Sequence, residues 1–235
     1  MATLRHRAPR CTPPPMQPAF PAAIVFDMDG TLLDSERIAL STFNTVCAQF
    51  GLQPNPEVYR RCIGTRAPET QRILMDLYGP TFPLEPFFAA WSDAYRIHAI
   101  ESPVPIKDGV LELLDACSRL AIPIAVATST RRESALLKLS KTALLKRFAF
   151  VLGGDEDTHG KPHPQIYLAA AQRLQIAPQR IWAIEDSDTG VRSAHGAGMT
   201  VFQIPDLHEP DAEVRALGHY IVTSMHDVRE LLPER

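Results

Sequence analysis

Four short stretches of this 235-residue chain carry side chains that could act together: Asp27 and Asp29 in Phe26-Asp27-Met28-Asp29-Gly30-Thr31, Thr128 in Thr128-Ser129-Thr130, Lys161 in Gly160-Lys161-Pro162-His163-Pro164, and the pair Glu185-Asp186. Two carboxylates, a hydroxyl, a lysine and an acidic pair are the parts that phosphoryl transfer through a covalent aspartyl intermediate requires. A phosphate monoester dianion repels an anionic nucleophile, so a divalent cation and a lysine must neutralise it before attack. Acidic residues would hold the metal. Oxygen ligands, with no dedicated histidine or cysteine cluster, suit a hard ion such as Mg²⁺.

These residues need elements that bring them together. Ala23 to Phe26 is an apolar run with β-branched and aromatic members, which reads as a strand buried on both faces of a parallel sheet. Asp27 and Asp29 follow at its carboxyl tip, where open α/β sheets place ligands, and side chains two apart in extended backbone point the same way. Asp-Gly is also a hairpin turn signal. A calcium loop of the EF-hand type would need an acid or amide at Thr31, Gly at Leu32 and Glu at Ile38, and all three fail. Asp34 or Ser35 is expected to cap the following helix.

Apolar spacing predicts that helix through Phe50, with Gly51 as its stop, then helices over Pro56–Ile63, Pro68–Tyr78 and Pro86–Ile100, with Gly64-Thr65-Arg66 as a loop. No strand signal interrupts this block, so residues 35–104 read as a helical module inserted after the first strand. Asp108-Gly109 then opens a helix through Leu120. Short apolar runs at Ile122–Ala127, Phe148–Leu152, Ile181–Ile184 and Thr200–Ile204, separated by amphipathic segments such as Gln165–Leu174, predict right-handed crossovers and a parallel sheet. The polar stretches Thr128-Ser129-Thr130, Gly153-Gly154-Asp155 and Glu185-Asp186-Ser187-Asp188 follow successive strands. Asp34, Asp155 and Asp188 are read as caps, turns or supports. His159 and His163 are read as loop residues, because Pro162 and Pro164 deny them a shared helical face.

Composition narrows the function classes. With 45% hydrophobic and 22% charged residues the chain can bury a full core. A net charge of −3 argues against a phosphate-backbone binder, so no nucleic acid is expected. No apolar run approaches the roughly 18 to 20 residues of a membrane helix, so no membrane is expected either. Cys11, Cys47, Cys62 and Cys117 have no CxxC spacing, which reads as reduced thiols and a cytoplasmic location. Residues 1–20 hold Arg5, Arg7, Arg10 and a run of prolines, and read as a disordered tail without the apolar centre of a secretory signal. The arginines leave an organelle-type leader open, and Met16 is an alternative start.

Taken in order, the DMDGT segment, the Thr128 segment, Lys161 in GKPHP and Glu185-Asp186 resemble the four motifs of the haloacid dehalogenase-like superfamily of phosphohydrolases, over about residues 22 to 205. The inserted helices resemble the helical cap of the branch that contains β-phosphoglucomutase, phosphoglycolate phosphatase and sugar-phosphate phosphatases. The expected fold class is therefore α/β, a Rossmann-like parallel sheet core (21–34 and 105–235) with an inserted all-helical cap domain (35–104).

The resemblance implies Asp27 as the nucleophile and a metal ligand, and Asp29 as the general acid and base with its backbone carbonyl on the metal. It implies Thr128 as a donor to the phosphoryl group, with Ser129 beside it at the substrate. Lys161 would balance charge. Asp186 would hold Mg²⁺, and Glu185 would join it directly or through water. Arg66 matches an arginine that touches substrate in some relatives, or pairs with an acid such as Glu69.

The same resemblance sorts reactions. Dehalogenases lack the second aspartate, which is present here as Asp29. Phosphonatases use a cap lysine, and no lysine lies between Ser35 and Val104. Mutases of the β-phosphoglucomutase type carry a histidine at the position that aligns with Ala39. Hydrolysis of a small phosphorylated metabolite, a sugar phosphate or phosphoglycolate-like acid, is the expectation, with a phosphosugar mutase as the alternative and a monomer or weak homodimer as the assembly. A non-catalytic module phosphorylated on aspartate, as receiver domains are, fits less well, because its acidic pair precedes the phospho-acceptor.

Overall fold

The strand expected around Ala23 forms the centre of the molecule. In a computed structural model, which describes residues 17–62 and 67–234, β1 (Ala23–Phe26) has all four residues fully buried. It pairs in parallel with β2 (Ile124–Ala127) on one side and β4 (Ile181–Glu185) on the other, Val25 standing opposite both Ala125 and Ala183. β3 (Val151–Leu152), β5 (Thr200–Gln203) and β6 (Tyr220–Ile221) complete a parallel sheet of order β3-β2-β1-β4-β5-β6. The order reverses direction between β1 and β4, which opens a crevice at their carboxyl ends.

Alternation along β1 divides the core in two. Ile24 and Phe26 pack with α5 (Val110–Arg119), α6 (Arg132–Lys141) and α10 (Met225–Glu230). Ala23 and Val25 pack with α7 (Gln165–Leu174), α8 (Asp188–Gly196) and α9 (Ala212–Arg215). The result is three layers, helix on sheet on helix, as a doubly covered parallel sheet requires. Between β1 and α5 lie α1 (Ser35–Gln49), α2 (Pro56–Cys62), α3 (Ala67–Tyr78) and α4 (Leu84–Tyr95). Their apolar faces form a third cluster in which Phe43 meets Tyr59, Phe87 and Trp91 at ring-centroid distances of 5.7, 5.9 and 5.1 Å.

Several local expectations are corrected. Asp34 stands at the start of α1 but does not cap it: its carboxylate takes Arg37 at 2.7 Å, and Ser35 gives its hydroxyl to Asp29 at 2.6 Å. An ionised carboxylate is the stronger acceptor, so it claims the hydroxyl. The helix expected over Pro86–Ile100 begins at Leu84 and widens into a π turn over Arg96–Ile100. The strand expected from Ile122 begins at Ile124, because Ala121 adopts φ 54° and turns the chain into the sheet there. β3 is regular over two residues only, though Ala149 N–H donates to Ile124 O at 2.8 Å and extends the pairing backward. β6 was not anticipated; its two residues carry too short a pattern.

The expectations for the tail through residue 16, for the Gly64-Thr65-Arg66 loop and for Arg66 as a substrate contact lie outside the described residues. Of the rest of the tail, residues 17–20 are irregular, and Trp182 Nε1–H donates to the Ala19 carbonyl at 3.0 Å. No described helix is long and apolar enough to cross a membrane.

Gly30 shows how tightly the chain closes around the tip of β1. Its φ of +82° disfavours a side chain, and a Cβ there would lie 2.1 Å from Asp186 Oδ2. Gly30→Ala is expected to lower stability by about 2 kcal/mol or more from left-handed strain plus the clash. Thermal unfolding of the variant measures this, and an unchanged midpoint would show that the turn adapts.

Candidate active site

Backbone hydrogen bonds carry the β1 and β2 ladders one residue past each strand and so fix the first site groups. Asp27 N–H donates to Ile184 O at 2.9 Å, and Thr128 N–H donates to Leu152 O at 3.1 Å. From the loop before α7, Lys161 Nζ uses three donors, on Asp27 Oδ1 at 2.6 Å, Glu185 Oε1 at 2.6 Å and Ala127 O at 3.0 Å. Glu185, fully buried, also accepts from Tyr167 at 2.6 Å and from Ser187 at 3.2 Å. Gly190 makes this possible: a Cβ on it would come within 2.0 Å of the Glu185 carboxylate. Asp186 accepts from Thr31 Oγ1 at 3.1 Å.

Asp27, Asp29, Thr128, Ser129, Lys161 and Asp186 thus line one small cavity of about 40 Å³, with Glu185 behind Lys161. Thr128 Oγ1 accepts from Thr130 N–H at 3.1 Å. A larger cavity of about 510 Å³ opens between this end of the sheet and the inserted helices, lined among others by Ala39, Tyr59, Phe88, Trp91 and Tyr95. Asp29, Glu36 and Ser129 belong to both cavities and mark their junction.

Sequence reasoning missed Lys138. It lies in α6 with its side chain wholly buried, and its ammonium donates to Asp29 Oδ1 and to Tyr95 Oη, the latter at 2.9 Å. Thr130 Oγ1 donates to Asp29 Oδ2 at 2.6 Å. Glu36 was missed too: Tyr59 donates to its carboxylate at 2.9 Å beside the larger cavity. Ala135 and Leu139 beside it are buried, but α6 also carries Arg132, Glu133 and Lys141, so nothing local distinguishes Lys138 from a surface lysine. The supports expected among the other acids are present: Asp155 accepts from Arg132 N–H at the start of α6, and Asp188 accepts from Gln203 and from Asp211 N–H. His159 and His163 stack with centroids 4.2 Å apart in their loop.

Electrostatically the two aspartates of the motif differ. Burial, with the Glu185 charge adding to it, pushes Asp27 up to about 8 despite Lys161. Burial and the charges of Asp27 and Glu185 raise Asp186 well above the carboxylate range. Burial also acts against ionised Asp29, but Lys138, Ser35 and Thr130 outweigh it and hold Asp29 below the usual value. Glu36 rises to about 7, mainly by burial and then by the nearby Asp29 charge.

Asp27, Glu185 and Asp186 each offer an oxygen within 4.8 Å of the others, three acids around one point with Lys161 as the shared cation. That excess of buried negative charge, all on hard oxygen donors, fits a divalent cation of the Mg²⁺ type.

The chain belongs to the haloacid dehalogenase-like hydrolase family, whose sequence model matches residues 24–204. It is 34% identical over 182 residues to the phosphorylated carbohydrates phosphatase of Thermotoga maritima, covering 75% of this chain and 82% of that one. It is 30% identical over 221 residues to (DL)-glycerol-3-phosphatase 2 of Arabidopsis thaliana, covering 88% of each. A crystal structure of a HAD family hydrolase from Deinococcus radiodurans with bound phosphate and sodium superposes with a TM-score of 0.75 at 27% identity, covering 91% of this chain and 98% of that one.

Raised carboxylates make the metal-free fold pH-sensitive with a defined sign. Asp27 ionises at 3.8 when unperturbed and at about 8 in the fold, so between those values the folded protein binds more protons than the unfolded chain. Stability is then highest at the acidic end of that window and falls as pH rises through it. A divalent cation held by these acids would engage the ionised form and reverse the loss. Mg²⁺ is expected to raise the melting midpoint by at least about 3 °C more at pH 8 than at pH 5.5 in chelator-controlled scans. Equal shifts at both pH values would contradict the assignment of the acids to one cation site.

Proposed function

We propose that this protein is a Mg²⁺-dependent phosphatase that hydrolyses a small phosphorylated metabolite through a phospho-aspartate on Asp27. The observation that carries the reading is the junction: Asp27 and Lys161 line the small cavity, and Asp29 lies where that cavity meets the larger one. Phosphate belongs in the first and the leaving group in the second, with an acid–base residue between them.

In the first step Asp27 forms a bond to phosphorus while the ester P–O bond breaks, and Asp29, ionised at rest, takes the proton of the incoming monoester monoanion and passes it to the departing oxygen. In the second, Asp29 takes a proton from water as the water oxygen bonds to phosphorus and the Asp27–phosphorus bond breaks. Thr128 and Ser129 donate to phosphoryl oxygens, and Lys161 holds Asp27 in place and offsets its charge. Asp27, Asp186 and the Asp29 carbonyl would hold Mg²⁺, which supplies charge neutralisation of the phosphoryl oxygens. Glu185, with its oxygens taken by Lys161, Tyr167 and Ser187, serves chiefly as the anchor of Lys161 and would join the metal through water.

Helices α1–α4, within residues 35–104, act in this reading as a cap over the core of 21–34 and 105–235. The cap side of the larger cavity favours a polyol over a phosphoglycolate-like acid. Trp91, Phe88, Tyr59 and Tyr95 offer aromatic faces, Glu36 is an acceptor for hydroxyls, and Arg96 is its sole cation among the described lining residues. Arg96 is itself engaged with Asp93 and Glu101. Ala39 lines the cavity where a mutase would need an imidazole, which favours water as the acceptor. Buried thiols at Cys47, Cys62 and Cys117, outside any disulfide, fit a reducing, cytoplasmic setting.

Purified protein with Mg²⁺ is expected to release phosphate from hexose or polyol phosphates with kcat/KM at least about tenfold above that for phosphoglycolate, a difference of about 1.4 kcal/mol. Asp27→Asn is expected to lose at least about 10³-fold in kcat on every ester while keeping its fold by circular dichroism. Retained turnover in that variant would rule out the covalent route.

A further inference from the structure

Lys138 is a cation with no exposed surface, in a helix where only it, Ala135 and Leu139 are buried, and its ammonium lies against Asp29. The proposed chemistry uses Lys161 as its cation and leaves Lys138 without a task. An ionised carboxylate has about four acceptor directions, two on each oxygen. On Asp29, Oδ1 receives both the Lys138 ammonium and the Ser35 hydroxyl, so its two directions are filled. Oδ2 receives Thr130 alone and keeps one direction open. Asp29 and Thr130 both line the larger cavity where the leaving group is placed.

We propose that Lys138 is a positioning residue that, together with Ser35, saturates Oδ1 of Asp29 and so makes Oδ2 the oxygen that exchanges protons with the leaving group and with water. A proton on Oδ1 would face an ammonium and a hydroxyl that already donate to it, whereas one on Oδ2 meets an open direction. Tyr95, whose hydroxyl and ring face both contact the Lys138 ammonium, fixes the lysine from the helical side, with Nζ 5.2 Å from the ring centroid. This inference rests on the phosphatase reading above and adds to it which oxygen reacts and what selects it.

The test separates steps that need Asp29 from one that does not. Transfer of the phosphoryl group from a p-nitrophenyl ester needs no acid, because the phenolate leaves unaided; transfer from a hexose phosphate does. For Lys138→Met, kcat/KM on the hexose phosphate is expected to fall at least about 30-fold, within the range for loss of positioned acid catalysis, while kcat/KM on the aryl ester stays within about threefold. On the aryl ester kcat and KM are expected to fall together, because only the water step is slowed. Ser35→Ala, which vacates the other direction on Oδ1 at a residue that lines neither cavity, is expected to give the same split, with a loss of at least about fivefold on the hexose phosphate.

Equal losses of kcat/KM on both esters, or no loss on either, would overturn the role of Lys138 and leave the phosphatase reading intact. Should Lys138→Met fail to fold, Ser35→Ala decides alone by the same comparison. Absence of hydrolysis of either ester by the wild-type protein would instead overturn the phosphatase reading, and the inference with it.

Discussion

Buried negative charge at the tip of the central strand is the constraint that organises this protein. Three carboxylates, on Asp27, Glu185 and Asp186, converge where β1 and β4 end, and Lys161 is the cation bonded to two of them. An uncompensated buried charge costs several kcal/mol, so the surroundings have to supply donors. Tyr167, Ser187 and Thr31 do so, each from a different segment. Gly30 and Gly190 let backbone approach where a methyl group would collide with Asp186 or Glu185. The parallel order with β1 between β2 and β4 is what brings these segments to one end of the sheet.

A second buried cation splits the two aspartates of the first motif. Asp27 shares Lys161 with another acid and rises; Asp29, two residues on, has Lys138 and two hydroxyls and falls. Neighbouring acids of one motif are therefore displaced in opposite directions by their surroundings. The separation follows from topology: Lys161 enters from the loop before α7, on one face of the sheet, and Lys138 from α6, on the other.

Much of this was legible in the sequence, because the signals were either local or joint. Apolar runs gave five of the strands, since burial on both faces leaves no polar interruption at Ala23–Phe26 or Ile181–Ile184. The residues Asp27, Thr128, Lys161, Glu185 and Asp186 were found by their order along the chain, and the fold brings them together. What escaped were residues whose meaning depends on a partner far away. Lys138 reads as a surface lysine until Asp29 is seen 109 residues earlier in the chain and packed against it. Ser35 is a nearer case: it looked like a helix cap because Ser commonly is one, and the loop after β1 turns back to bring Asp29, six residues earlier, to its hydroxyl. β6 and the π turn at Arg96–Ile100 are set by packing, with two and five residues too few to show a period.

Tyr95 ties these levels together. It ends α4, packs at the margin of both the inserted helices' cluster and the cluster on the sheet's α5 and α6 face, and accepts from the Lys138 ammonium through its hydroxyl oxygen. The apolar contacts alone would tolerate a rotation of α4, since hydrophobic burial is not directional. The ammonium would not, because its side chain has no exposed surface and its charged partner is the carboxylate of Asp29. One directional contact to a buried charge therefore sets the end of α4 against the sheet, and through Lys138 it links the packing of the inserted helices to the orientation of the carboxylate between the two cavities.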